Sequence, residues 1–204
     1  MRIVCLDLEG VLIPEVWINV AERTAIEELR LTTRDVPDYD VLMRRRLAIL
    51  DQHGLGLPKI QEVIDGMQPL PGAAEFLSAL RNRYQVIILS DTFYEFAAPF
   101  MRKLGMPTLF CHSLEVDVSG RIRNYRLRQP DQKRKAVAAL KALNFKIVAA
   151  GDSYNDTNML GEADAGILFR APENVVREFA QFPHVPERYE DLSAAIDAAF
   201  ARIG

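Results

Sequence analysis

Asp7, Glu9, Ser90, Lys133 and Asp152 are the residue types that phosphoryl transfer requires. They occur as Asp7-Leu8-Glu9-Gly10, Ser90-Asp91-Thr92, Lys133 and Gly151-Asp152-Ser153-Tyr154-Asn155-Asp156. A carboxylate such as Asp7 can attack phosphorus and form an acyl-phosphate. Nucleophile and phosphate are both anionic, so a cation must stand between them. Asp7 and Asp152 offer the hard oxygen atoms that Mg²⁺ prefers. The metal would shield the repulsion and orient the phosphoryl group. Lys133 adds positive charge, and its neighbours Arg134 and Lys135 are alternatives for that role. Ser90 has a hydroxyl to donate to a phosphoryl oxygen. Glu9 falls on the same side as Asp7 if strand geometry continues. There it can protonate a leaving alkoxide and then deprotonate an attacking hydroxyl.

These residues act together only if the fold gathers them. Three apolar runs precede them: Ile3 to Leu6, Val86 to Leu89 and Ile147 to Ala150. Short continuous apolar runs read as parallel strands buried on both faces. The carboxyl ends of such strands share one edge, where ligands bind. Helical spacing over Ala73–Tyr84, Phe93–Leu104 and Asp131–Leu143 alternates with the strands, as do a short helix over Asn155–Ala163 and a strand over Gly166–Phe169. Pro99 should kink or interrupt the second of these helices. Leu114–Leu127 reads as a hairpin turning at Ser119-Gly120, and the tail from Glu190 is helical. The alternation predicts an α/β fold with a doubly wound, Rossmann-like parallel sheet.

Residues 14–68 break the alternation. Apolar residues recur at helical spacing over Glu15–Leu31 and Tyr39–Leu50, and Pro58 suits the first position of a further helix. Pro69-Leu70-Pro71-Gly72 marks the boundary. The expected organisation is an α/β core from residues 1–13 and 69–204 with a small helical cap over 14–68. Pro14 and Pro69–Gly72 are candidate hinges for a cap that closes and excludes water.

The chain has 204 residues and a net charge of −3. A sequence pI near 5.7 argues against a dominant nucleic-acid surface. No apolar run approaches the ~20 residues of a membrane span, and the start lacks signal-peptide form. The expected setting is cytoplasmic. Cys5 and Cys111 support neither a disulfide framework nor a Cys-rich zinc site. His53, His112 and His184 lack metal-ligand spacing and read as structural or exposed. Trp17 and the Phe93-Tyr94-Phe96 group read as packing.

The four segments Asp7-Leu8-Glu9-Gly10-Val11, Ser90, Lys133 and Gly151–Asp156 resemble, in order and spacing, the motifs of the haloacid dehalogenase (HAD) superfamily. Within it the chain is most similar to phosphoserine phosphatases, and more closely to the ThrH type, which also passes phosphate to homoserine. The resemblance implies that Asp7 is nucleophile and Mg²⁺ ligand. It implies that the Glu9 carbonyl and the Asp152 carboxylate complete the protein's ligands, with Asp156 behind them. Ser90, Lys133 and Asn155 would hold phosphate or substrate. In the cap, Glu15 would face the substrate amine and Arg46 its carboxylate, with Tyr39 nearby. Arginine's fork suits a carboxylate. Of Arg44-Arg45-Arg46, successive helical residues diverge by about 100°, so one or two at most can reach a pocket.

Two positions depart from the family pattern. Glu9 stands where Asp is usual, and Asp91-Thr92 follow Ser90 where glycines are common. Asp91 is expected to contact a substrate ammonium or an acceptor hydroxyl. Two other functions fit some of these residues. One is a phosphatase for another small phosphomonoester. The other is a receiver-like signalling module that uses phospho-aspartate as a switch.

Overall fold

The structure is a computed structural model that describes residues 1–32, 35–36 and 38–204. The chain begins with β1 (Arg2–Leu6), then runs through α1 (Val16–Thr24), a 3-10 turn (Glu27–Arg30), α2 (Tyr39–Gln52), α3 (Leu57–Asp65) and α4 (Ala73–Arg81). It continues through β2 (Gln85–Phe93), α5 (Tyr94–Lys103), β3 (Thr108–Val116) and β4 (Ile122–Arg126). The remainder is α6 (Gln132–Ala142), β5 (Lys146–Gly151), α7 (Thr157–Glu162), β6 (Ala165–Phe169), α8 (Glu173–Glu178), β7 (His184–Val185) and α9 (Tyr189–Ile203). The strands form one sheet in the order β4-β3-β2-β1-β5-β6-β7, parallel except for the β3–β4 pair. This is the α/β, Rossmann-like architecture expected from the apolar runs.

β1 lies at the centre because both of its faces are apolar. Val4 and Leu6 join one buried cluster, and Ile3 and Cys5 join the other. From β1 the chain moves outward to β2 and β3, while from β5 it moves outward the other way to β6 and β7. The space between β1 and β5 is thus a topological switch point, where open α/β sheets bind ligands.

The inserted helices do not form a separate core. Trp17, Val20, Met43, Ile60 and Ile64 belong to the same apolar cluster as Val4, Leu6, Phe96 and Phe100. Trp17 meets Phe96 edge-on at 5.4 Å between ring centroids. The β3–β4 hairpin holds the insertion from the other side. The Leu57 amide donates to the Gly120 carbonyl at 2.8 Å, Tyr125 donates to Asp40, and Arg121 pairs with Asp51. Gly120 adopts φ +83°, and a side chain there would come within 2.9 Å of the Pro58 ring.

Several boundaries differ from those expected. The helical spacing over Glu15–Leu31 resolves into α1 and the 3-10 turn, because Ala25 takes a left-handed conformation (φ 56°) that ends the helix. β3 starts at Thr108, before the hairpin, and its first half pairs with β2. α8 and the two-residue β7 carry too little periodicity to read from sequence. Among the described residues, no helix is long and apolar enough to cross a membrane.

Pro99 does not interrupt α5, which runs unbroken from Tyr94 to Lys103. A proline leaves the carbonyl four residues earlier without its helical donor, which here is Glu95. That carbonyl instead accepts from Gln61 Nε2 of α3 at 2.9 Å. Gln61 therefore repairs α5 and ties α3 to it. Gln61→Ala is expected to cost about 1 kcal/mol by leaving that carbonyl unpaired, seen as a Tm lower by roughly 2–4 °C. An unchanged melting curve would contradict this reading of α5.

Candidate active site

Strand register brings the distant motifs level. Leu6 pairs with Ile88 of β2 and with Ala150 of β5. The Asp7 amide then donates to the Ala150 carbonyl at 3.0 Å. Asp7 and Asp152 thus leave adjacent strand ends together. β2 reaches the site by a different device. Leu89 pairs with Phe110 but Phe93 pairs with His112, so β2 uses extra residues over this interval. Such an irregularity re-aims side chains at a sheet's functional edge. Here it lifts Ser90, Asp91 and Thr92 out of the regular ladder.

Lys133, in the first turn of α6, is the hub. Its Nζ lies 2.8 Å from Asp7 Oδ1, 2.8 Å from Asp156 Oδ1 and 3.8 Å from Asp91 Oδ2. Burial opposes its charge, but Asp156 and Asp7 outweigh burial and raise its pKa well above the ordinary lysine value. Arg134 instead pairs with Asp131 and Glu162 on the outside. Asp156 is fully buried, and its other oxygen accepts from the amides of Asp152 and Ser153 at 3.0 Å each. The Ser153 hydroxyl adds a bond at 3.1 Å. Asp156 is therefore committed to the loop and to Lys133.

Asp7, Asp152 and Asp156 each place an oxygen within 4.8 Å of the others. Burial, with Asp156 and Asp152, pushes the Asp7 pKa well up, and Lys133 only partly offsets this. One lysine cannot balance three buried carboxylates. A dication would, and carboxylate oxygens are the donors Mg²⁺ takes. Of the three, Asp7 and Asp152 border the cavity described below, whereas Asp156 lies behind them. Gly10 leaves room for this arrangement. It has φ +76°, and a β-carbon there would lie 2.4 Å from Asp152 Oδ2.

Glu9 turns toward the inserted helices. Its Oε2 accepts the Val16 amide at 2.9 Å, at the first residue of α1. Glu15, in the capping position, makes no capping bond of its own. Burial and then the nearby charge of Glu15 push the Glu9 carboxyl up to about 8, against opposing hydrogen bonds from Val16 and Thr92. A carboxyl in that range can hold a proton at neutral pH and give it up.

Of the three consecutive arginines only Arg46 is buried. It lies over the Trp17 ring, 4.5 Å from the centroid, and donates to the Leu31 carbonyl at 2.8 Å. Its buried Nε has no hydrogen-bond partner among the described residues. Tyr39 donates to the Asp91 carbonyl at 3.0 Å, linking α2 to the β2 irregularity. Arg46, Tyr39, Glu15, Asp7, Glu9, Ser90, Asp91, Lys133, Asp152 and Asn155 all border one cavity of about 350 Å³. A larger cavity of about 1230 Å³ adjoins it beyond Gly10 and Glu15, but neither Asp7 nor Asp152 borders that one. The chemistry, rather than the volume, marks the site.

Some neighbours were not singled out from the sequence for the site. Thr92 bonds Glu9, and Arg170 borders the cavity. His112 is buried and faces Asp91, with 3.5 Å between Nε2 and Oδ1, and Gln132 Nε2 reaches the same oxygen at 3.3 Å. No sequence signal marks His112, because its approach depends on the β2 irregularity. Burial alone would raise the Asp91 pKa, but Lys133 and His112 hold it down to about 2. Both cysteines are buried, and burial pushes the Cys5 thiol up to about 12.

Both the sequence and the fold have known relatives. A sequence model described as haloacid dehalogenase-like hydrolase matches residues 1–164. The phosphoserine phosphatase ThrH of Pseudomonas aeruginosa is 62% identical over 202 residues, covering 99% of this chain and 98% of that protein. A phosphoserine phosphatase of Pseudomonas syringae pv. tomato is 65% identical over 185 residues, covering 91% and 78%. The crystal structure of a phosphoserine phosphatase in its apo form superposes with a TM-score of 0.75 at 23% identity, over 92% of this chain and 94% of that one, and so shares the fold. With the strand-end acids, the lysine hub and these likenesses in agreement, the chain belongs to the haloacid dehalogenase-like hydrolase family.

Proposed function

We propose that the protein is a Mg²⁺-dependent phosphoserine phosphatase of the cytoplasm that works through an aspartyl-phosphate on Asp7. It also passes the phosphoryl group to homoserine. One observation carries the reading. Glu15 and Arg46, charges of opposite sign, border the same small cavity as Asp7 and Lys133. That pairing suits the ammonium and carboxylate of an amino acid whose phosphate sits against the strand ends. The likeness to the Pseudomonas aeruginosa ThrH enzyme supports the substrate assignment. A small cavity beside Asp7 walled in part by Trp17, Leu42 and Arg46 of the helices after β1 favours turnover of a small molecule over a receiver-like switch.

In this mechanism residues 14–68 act as the cap. Arg46 and Glu15 orient phosphoserine, while Ser90 and Lys133 donate to its phosphoryl oxygens. Asp7, the Glu9 carbonyl and Asp152 would hold Mg²⁺, which when bound would supply charge neutralisation between nucleophile and phosphate. A carboxylate oxygen of Asp7 attacks phosphorus as the serine oxygen leaves. Glu9 gives that oxygen its proton. Glu9 then takes the proton of water or of the homoserine hydroxyl as that oxygen attacks phosphorus. The Asp7–phosphate bond breaks, yielding inorganic phosphate or phosphohomoserine and restoring Asp7.

Incubation with phosphoserine and Mg²⁺ is expected to release inorganic phosphate, and chelation should abolish release. Added homoserine should divert part of the phosphate into phosphohomoserine. Absence of any release from phosphoserine would overturn the substrate assignment. A second prediction concerns Gly10→Ala, which drives a methyl group into Asp152. The Mg²⁺ concentration for half-maximal activity should rise roughly 10–100-fold, as when a group orienting a metal ligand is lost. Wild-type metal dependence in this variant would argue against Asp152 as a ligand.

A further inference from the structure

Asp91 stands between two spaces. It borders the 350 Å³ cavity and also a neighbouring one of about 590 Å³. Its side chain is about one-third exposed, so its charge is available to a ligand. Its carboxylate is nevertheless held from several directions. The Nδ1 of His112 accepts the Arg128 amide at 3.1 Å. Nδ1 therefore presents its lone pair, and the proton of the neutral ring sits on Nε2. Nε2 faces Asp91 Oδ1. The His112 ring is walled by Tyr39 and Phe93, with centroids at 6.3 and 6.4 Å. Gln132 Nε2 also donates to the Ser90 carbonyl, and two acceptors on one nitrogen fix which end of the amide points there.

Oδ1 is thus occupied, and Oδ2 accepts no hydrogen bond from the described residues. Oδ2 lies 3.8 Å from Lys133, too far for one. A loose carboxylate here would swing onto the Lys133 ammonium and compete with Asp7 for it. We propose that His112, with Gln132, is a positioning residue. It turns Asp91 away from Lys133 so that Oδ2, on the same cavity as Glu15, shares with it the ammonium of the amino-acid substrate or acceptor. This assignment rests on the amino-acid phosphatase reading given above.

The test compares His112→Gln with His112→Asn in the full chain. The glutamine amide reaches the place of Nε2, whereas the asparagine amide reaches only that of Nδ1. Each variant is assayed with phosphoserine and with para-nitrophenyl phosphate, which has no ammonium. The Asn variant is expected to lower the ratio of kcat/KM for phosphoserine to that for para-nitrophenyl phosphate by about tenfold or more, the scale of one lost contact to a charge. The loss should fall on the KM for phosphoserine, and the Gln variant should restore most of the ratio. Asp91→Asn should lower the ratio similarly, and adding His112→Asn to it should cost nothing further. Equal ratios in the Gln and Asn variants, or parallel losses on both substrates, would reduce His112 to packing and overturn the proposal. A wild-type protein that hydrolyses para-nitrophenyl phosphate but not phosphoserine would instead overturn the parent reading, and this inference with it.

Discussion

Three carboxylates buried around a single ammonium are the constraint on which the rest of the structure depends. Asp7, Asp152 and Asp156 repel one another, and withdrawal from water makes each charge costly. Lys133 bridges Asp7 and Asp156, and the Asp156 side chain is braced by two amides and a hydroxyl of its own loop. That bracing needs Gly151, where a β-carbon would lie 2.3 Å from Asp156 Cγ. It also needs the parallel register of β1 and β5, which sets the loop beside Asp7. The remaining negative charge is what the proposed dication would neutralise.

The helices over residues 14–68 supply one wall of the cavity beside Asp7. They do so by sharing the core of the α/β unit. The apolar cluster is continuous from β1 through α5 into α1 and α3. The hairpin tip at Gly120 and the Gln61–Glu95 hydrogen bond hold the far side. Glu9 contributes from within the site, since its longer side chain reaches the first amide of α1. In this state the hinges expected at Pro14 and Pro69–Gly72 are spanned by packing. A swing of the whole insertion would expose Trp17, Ile60 and Ile64 to water.

The sequence displayed the acids because parallel strands buried on both faces read as apolar runs, and the residues just after such a run must lie at the sheet edge. Asp7, Ser90 and Asp152 were legible for that reason. The helical period said only that one or two of Arg44, Arg45 and Arg46 could reach a pocket; the family resemblance pointed to Arg46. Features that depend on two distant segments meeting were not legible. The role of His112 beside Asp91 arises from the irregular pairing of β2 with β3, which no local pattern announces. The intact helix at Pro99 depends on a glutamine far away in α3. β7 pairs through two residues and has no period to detect. Of Glu9, proximity to Asp7 could be foreseen, but not that its carboxyl would also cap α1.

The mechanism stands or falls on whether Asp7 carries the phosphoryl group during turnover. Rapid acid quench of the enzyme during turnover of phosphoserine with Mg²⁺, followed by peptide mass spectrometry, measures this directly. The expected result is one phosphoryl group on the peptide containing Asp7, labile to hydroxylamine and absent in Asp7→Asn. Steady turnover with the group on Ser90, or a phosphorylated protein unaffected by Asp7→Asn, would contradict it.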